Sequence, residues 1–116
     1  MSDAASALPV VVLSTTNDAA EAERLARALV EERLAACVTV IPDAVSTYRW
    51  EGRVETAGEH LLLIKTLAAA APRLTQRLRE LHSYEVPEIL VLPVAAGHGA
   101  YLDWVREQVG EPRAGS

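Results

Sequence analysis

The sequence predicts an α+β domain. Its four-stranded sheet carries helices on one face, projects a long hairpin, and is followed by an extra helix at the carboxyl end. Two observations predict this. First, Val10–Leu13, Ala36–Ile41, Leu61–Ile64 and Ile89–Leu92 are apolar on both strand faces, with only Thr39 interrupting. A sheet wetted on one side would alternate apolar and polar residues at period two, so both faces of this sheet need cover. Second, the segments between these runs supply only two full helices and one short one, enough for one face. The other face most economically meets a copy of itself, so the chain is expected to be an obligate oligomer.

The first strand is placed at Leu8–Leu13, with Ser14 at its end. Asp18 and Glu21, three residues apart, form a capping-box-like helix start. Ala22, Leu25, Ala26 and Leu29 then recur at helical spacing as a buried stripe. The second strand runs from about Ala35 to Trp50, and Pro42-Asp43 demands a bulge or bend inside it. Glu51-Gly52 is a hairpin turn, and the third strand returns over Arg53–Thr66. The tip of so long a hairpin should protrude and place Tyr48 and Trp50 against a neighbouring subunit.

The second helix follows Ala68–Ala71, with Pro72 in its first turn and Leu74, Leu78 and Leu81 as its stripe. Pro87 opens the fourth strand, which ends near Val94. Gly97-His98-Gly99 is a loop, and Tyr101, Trp104 and Val105 share one face of the last short helix, where both aromatics read as core. The domain is expected over 8–110, with 1–7 and 111–116 as flexible tails. The order strand, helix, strand, strand, helix, strand is that of the ferredoxin-like βαββαβ sandwich, which leaves one sheet face bare.

Composition narrows the function. A formal net charge of −5 argues against nucleic-acid binding, which draws most of its affinity from a basic surface, and against docking on an anionic membrane. No apolar run reaches transmembrane length. A lone Cys37 and an amino terminus without a basic, then apolar, leader point to the cytoplasm. Ten of the eleven basic residues are arginine; the single lysine, Lys65, ends an apolar strand.

Several segments together are similar to the CutA divalent-cation tolerance family. They are Val10–Leu13 with Ser14-Thr15, Ala35–Cys37, Ser46–Gly52, Glu59 through Lys65-Thr66, Tyr84–Glu88 and Tyr101–Trp104. The resemblance spans residues 8 to 109. It implies a homotrimer whose long hairpins reach around their neighbours, a likeness to the PII signalling trimers with ligand clefts between subunits, and a link to copper and other divalent cations. The family's copper proposal places a cysteine at the end of the first strand and two histidines before the Tyr-x-x-Pro-Glu segment. This chain has Ser14, Leu81 and His82 there. A harder and weaker ligand set is left, with Cu²⁺ or Zn²⁺ as the possible ions.

The best local metal cluster is His82 with Glu85 and Glu88, joined by Glu59 from the third strand; the bland alternative is a helix-terminal histidine set against the helix dipole. Lys65 reads either as the anchor of an anionic ligand or as a stem packed on the core with its head in water. Trp50, Tyr48 and Tyr84 read as an aromatic wall around a ligand or as interface anchors. Ser14 lacks the Gly-x-Ser-x-Gly surroundings of a hydrolase nucleophile, and no other catalytic constellation is present. The sequence thus predicts a non-enzymatic homotrimer binding a divalent cation or small molecule in intersubunit clefts. Glu59, Lys65, Tyr84 and Trp50 are its ligand-binding residues, and His82, Glu88 and Glu59 its metal ligands. The alternative is a signalling or scaffold trimer acting through protein contacts.

Overall fold

A computed structural model describes residues 7–110. The elements follow in the order β1 (Pro9–Thr16), α1 (Ala19–Glu31), β2 (Cys37–Trp50), β3 (Arg53–Leu67), α2 (Ala71–Leu81), β4 (Leu90–Pro93) and α3 (Gly99–Gln108). The sheet order is β2-β3-β1-β4 with every neighbouring pair antiparallel. This is the predicted α+β, ferredoxin-like arrangement.

The two sheet faces differ sharply in burial. Val10, Val12, Leu62 and Ile64 point to the core face, where Ala22, Leu25 and Leu29 of α1 and Leu74 and Leu78 of α2 close over them. Alternate residues Val11, Leu13, Leu61 and Leu63 point to the outer face and are only half-buried, and Ile41, Leu90 and Leu92 there are exposed. The apolar character of both strand faces is therefore real, but one chain covers only one of them. The outer face is capped at one end by α3, whose Val105 packs on Ala36 and Leu67.

Tyr101 and Trp104 do not join that packing: they are 40% and 41% exposed and lie against each other with ring centroids 5.7 Å apart. The reading of both as core fails because α3 sits on the outer face with nothing above it. The far end of α3 is held by Arg33, whose guanidinium donates to the carbonyls of Glu107 (2.8 Å) and Gly110 (3.3 Å). Arg33 itself takes a left-handed backbone, φ 60°, to end the turn after α1.

The hairpin follows its sequence signals. The β2–β3 register shifts between Ile41 and Ala44, at Pro42-Asp43, where proline cannot donate to the ladder and Asp43 adopts φ 62°. Glu51 (φ 50°) and Gly52 (φ 81°) close a two-residue turn of the type that matches strand twist. β1 ends opposite His60, so Ala44–Trp50 and Arg53–Glu59 pair only with each other. That tip projects about 20 Å at ~3.3 Å per residue and leaves Val45 (70%), Val54 (66%) and Trp50 (60%) in solvent.

Candidate functional site

A buried polar cluster forms where β1 ends, α1 begins and α2 hands over to the loop before β4. Asp18 caps α1 by accepting from the amides of Ala20 and Glu21. Glu21 does not complete the capping box. Its carboxylate turns inward, 4% exposed, and accepts from the Thr16 hydroxyl (2.9 Å), the Ser83 hydroxyl (3.1 Å) and the Ser83 amide (3.2 Å) through Oε2. Burial alone would raise its pKa. The hydrogen bonds from Ser83 and Thr16, with His82 alongside, outweigh that and hold the carboxyl below its ordinary value.

A pH dependence follows. A group whose folded pKa is depressed stabilises the fold above its unfolded pKa, and this contribution is lost as pH falls through the folded value. The wild-type chain should therefore lose stability below about pH 4.5, the ordinary value for this carboxyl. Glu21→Gln should be about 2 kcal/mol less stable at pH 7, the worth of a hydrogen-bonded buried charge, with a shallower fall on acidification. Urea midpoints across pH 3–7 measure both. A variant matching wild type at both ends of the range would contradict the assignment.

His82 is the next member. Its backbone leaves the helix in an extended conformation at the C-cap, and its side chain is fully buried. One ring nitrogen, Nε2, lies 2.7 Å from the Thr15 carbonyl, which can only accept, so Nε2 carries the proton. The Tyr84 amide, which can only donate, reaches Nδ1 at 3.0 Å. Both ring nitrogens are engaged, with Glu21 Oε2 a further 3.4 Å from Nδ1, and no lone pair is open to a metal ion. This corrects the reading of His82 as a ligand: the ring is a structural bridge between β1 and the loop after α2.

Tyr84 stacks at a tilt on His82, centroids 4.6 Å apart, and its hydroxyl donates to Glu59 Oε2 at 2.7 Å. Burial, then the hydrogen bond and the negative charge of Glu59, raise its phenol well above the ordinary range, with Tyr48 contributing further. Tyr84 thereby ties the loop after α2 to Glu59, which pairs with Ala44 at the base of the hairpin. Glu88 is exposed on the loop leading to β4. Among the described residues no three His, Cys, Asp or Glu side chains converge on a point that could hold a metal ion, so His82, Glu59 and Glu88 are not one site within a chain. Trp50 stands at the hairpin tip, opposite Arg53, with most of its side chain in solvent.

Lys65 shares the outer face with Glu59 but lies about 20 Å away, six strand residues at ~3.3 Å each. Its ammonium donates to the Thr39 hydroxyl at 2.6 Å and the Leu63 carbonyl at 3.3 Å. Ser14 is fully buried on the core face, and its hydroxyl has no hydrogen-bond partner. Leu81 is half-buried against the core. Sequence reasoning missed Thr16, Glu21 and Ser83. Only the spacing of Asp18 and Glu21 marked any of them, and it signalled a helix cap instead.

Residues 10–108 match the family model described as CutA1 divalent ion tolerance protein. The chain belongs to the CutA family. It is 52% identical over 100 residues to the divalent-cation tolerance protein CutA of Thermus thermophilus, covering 86% of this chain and 97% of that one. The CutA of Pectobacterium atrosepticum is 47% identical over 105 residues, covering 90% and 96%. In three dimensions it is similar to the T. thermophilus Cut A1 structure, with a TM-score of 0.87 at 50% identity over 89% of this chain and all of that one. Rice CutA1 gives a TM-score of 0.87 at 38% identity, covering 90% and 96%. No helix among the described residues is long and apolar enough to cross a membrane.

Proposed function

We propose that this CutA-family chain acts as a non-enzymatic homotrimer in divalent-cation tolerance, binding a cation or small ligand where subunits meet. The observation that carries this is the family match across residues 10–108, together with an outer sheet face that one chain leaves uncovered. Three such faces packed on each other would remove Leu13, Leu63, Leu90 and Leu92 from water and give Trp50 and Tyr48 a neighbouring surface. The lone Cys37 supports a reducing, cytoplasmic setting.

The donor set favours a weak, oxygen-ligated cation. His82 has no free nitrogen, whereas Glu59 keeps one carboxylate oxygen open beside the Tyr84 hydroxyl. Glu88, exposed, is free to approach from an adjoining subunit. Cu²⁺ and Zn²⁺, which prefer imidazole and thiolate, should therefore bind weakly here. Calorimetric titration of Zn²⁺ and Cu²⁺ into wild type and Glu59→Gln is the test. The proposal expects weak binding that falls at least tenfold in the variant; equal isotherms would remove Glu59 from the site. The signalling alternative is favoured by one observation, the exposed apolar tip of Val45, Trp50 and Val54.

A further inference from the structure

The Nδ1 atom of His82 stands between a donor and an acceptor. The Tyr84 amide reaches it at 3.0 Å, and Glu21 Oε2 lies 3.4 Å away. A bare Nδ1 can serve only the amide, because an ionised carboxylate has no proton to give. A protonated Nδ1 can serve only the carboxylate, because an amide N–H accepts nothing. Nε2 keeps its proton on the Thr15 carbonyl in either state. We propose that His82 is a pH-sensitive switch: on acidification Nδ1 exchanges the Tyr84 amide for the Glu21 carboxylate, and Tyr84 loosens its hold on the base of the hairpin. The window runs from about pH 8 to about pH 5, where histidine is the side chain that changes charge.

Each element around the ring contributes to the choice. α1 supplies the Glu21 carboxylate, already fixed by Thr16 and Ser83. α2 supplies its carboxyl end, where His82 is the cap and the helix dipole favours a cation; Arg79 of that last turn is exposed. β1 supplies Thr15 and Thr16, which do not ionise, and β3 places His60 opposite Thr16 in the ladder. The loop supplies the exposed Glu85 and Tyr84, whose phenol is kept protonated by burial and by Glu59. The His82 side chain is fully buried, so water does not replace the partner it gives up. Tyr84 carries the change outward, because its hydroxyl holds Glu59, which pairs with Ala44 where the hairpin leaves the sheet. Every group belongs to one chain, so the switch requires neither an assembly nor a cation on Glu59.

Two neighbouring amides read the switch side by side. The Ser83 amide stays on Glu21, while the Tyr84 amide loses its acceptor. The ratio of Tyr84 to Ser83 hydrogen-exchange rates in the full chain should therefore rise about tenfold across the window, the worth of one lost hydrogen bond. The ring-nitrogen chemical shifts of His82 should show Nδ1 gaining its proton with the same midpoint, and the amide shifts of Glu59 and Ala44 should follow it. His82→Gln, which donates and accepts but does not titrate, should flatten the ratio. Glu21→Gln, which removes the negative charge, should move the midpoint to lower pH. Tyr84→Phe should leave the ring titration in place and silence Glu59 and Ala44. Two results on the wild-type chain would overturn the proposal without recourse to any variant. One is an Nδ1 that gains its proton while the exchange ratio stays level, and the other is a ring with a bare Nδ1 throughout the window.

Discussion

His82→Ala should cost about 3 kcal/mol of stability and leave Zn²⁺ and Cu²⁺ binding unchanged. The variant strips the Thr15 carbonyl of its donor and the Tyr84 amide of its acceptor, both inside the protein, and leaves a void beneath the Tyr84 ring. Buried groups left without partners cost ~1–3 kcal/mol each, and an unfilled cavity adds to that. His82→Gln, which can donate and accept, should recover part of the loss. The expectation separates two histidines that look alike in sequence. A metal ligand would lose cation affinity and keep its fold; a structural bridge does the reverse. Thermal unfolding read beside the titration distinguishes them, and a variant with wild-type stability and lost Zn²⁺ binding would return His82 to the metal site.

The second large effect concerns the outer face. Leu90 and Leu92 are 52% and 44% exposed in a single chain and sit beside Leu13 and Val11 on that face. Leu90→Glu with Leu92→Glu should therefore change the stability of an isolated copy little, since surface substitutions usually stay within ~0.5 kcal/mol. In an assembly that buries this face, the same pair sets unpaired carboxylates in an apolar interface, a penalty of several kcal/mol per ion. Each ~1.4 kcal/mol weakens association tenfold, so the double variant should dissociate at concentrations where wild type remains whole. Size-exclusion profiles over a dilution series measure this. An unchanged profile would take Leu90 and Leu92 out of the interface.

Much of the architecture was legible because it rests on local signals. The two-sided apolar runs placed all four strands, Pro42-Asp43 placed the bulge and Glu51-Gly52 the turn. Strand ends were less legible. β1 continues to Thr16 because Ser14, Thr15 and Thr16 pair with β3 despite their polarity, and β4 shrinks to Leu90–Pro93, the stretch that pairs with Val10–Leu13 of β1.

The site was legible in part. Glu59 and Tyr84 do meet, and the pattern of carboxylates and a tyrosine pointed there. The role of His82 was not, since a histidine three residues before a glutamate reads as a ligand until its partners are known. Those partners include Thr15, 67 residues away in sequence, which no spacing rule connects to it. Glu21 was hidden for a related reason. A glutamate three residues after an N-cap reads as a reciprocal cap whether its carboxylate turns back to the cap or inward to Ser83.

The proposed assembly depends on copies of this chain covering the outer face that α1 and α2 leave open. Sedimentation equilibrium of the wild-type chain at low micromolar concentration measures that directly. A folded particle of three times the 12.5 kDa chain mass is the predicted result. A well-folded particle of a single chain mass, stable on dilution, would contradict it.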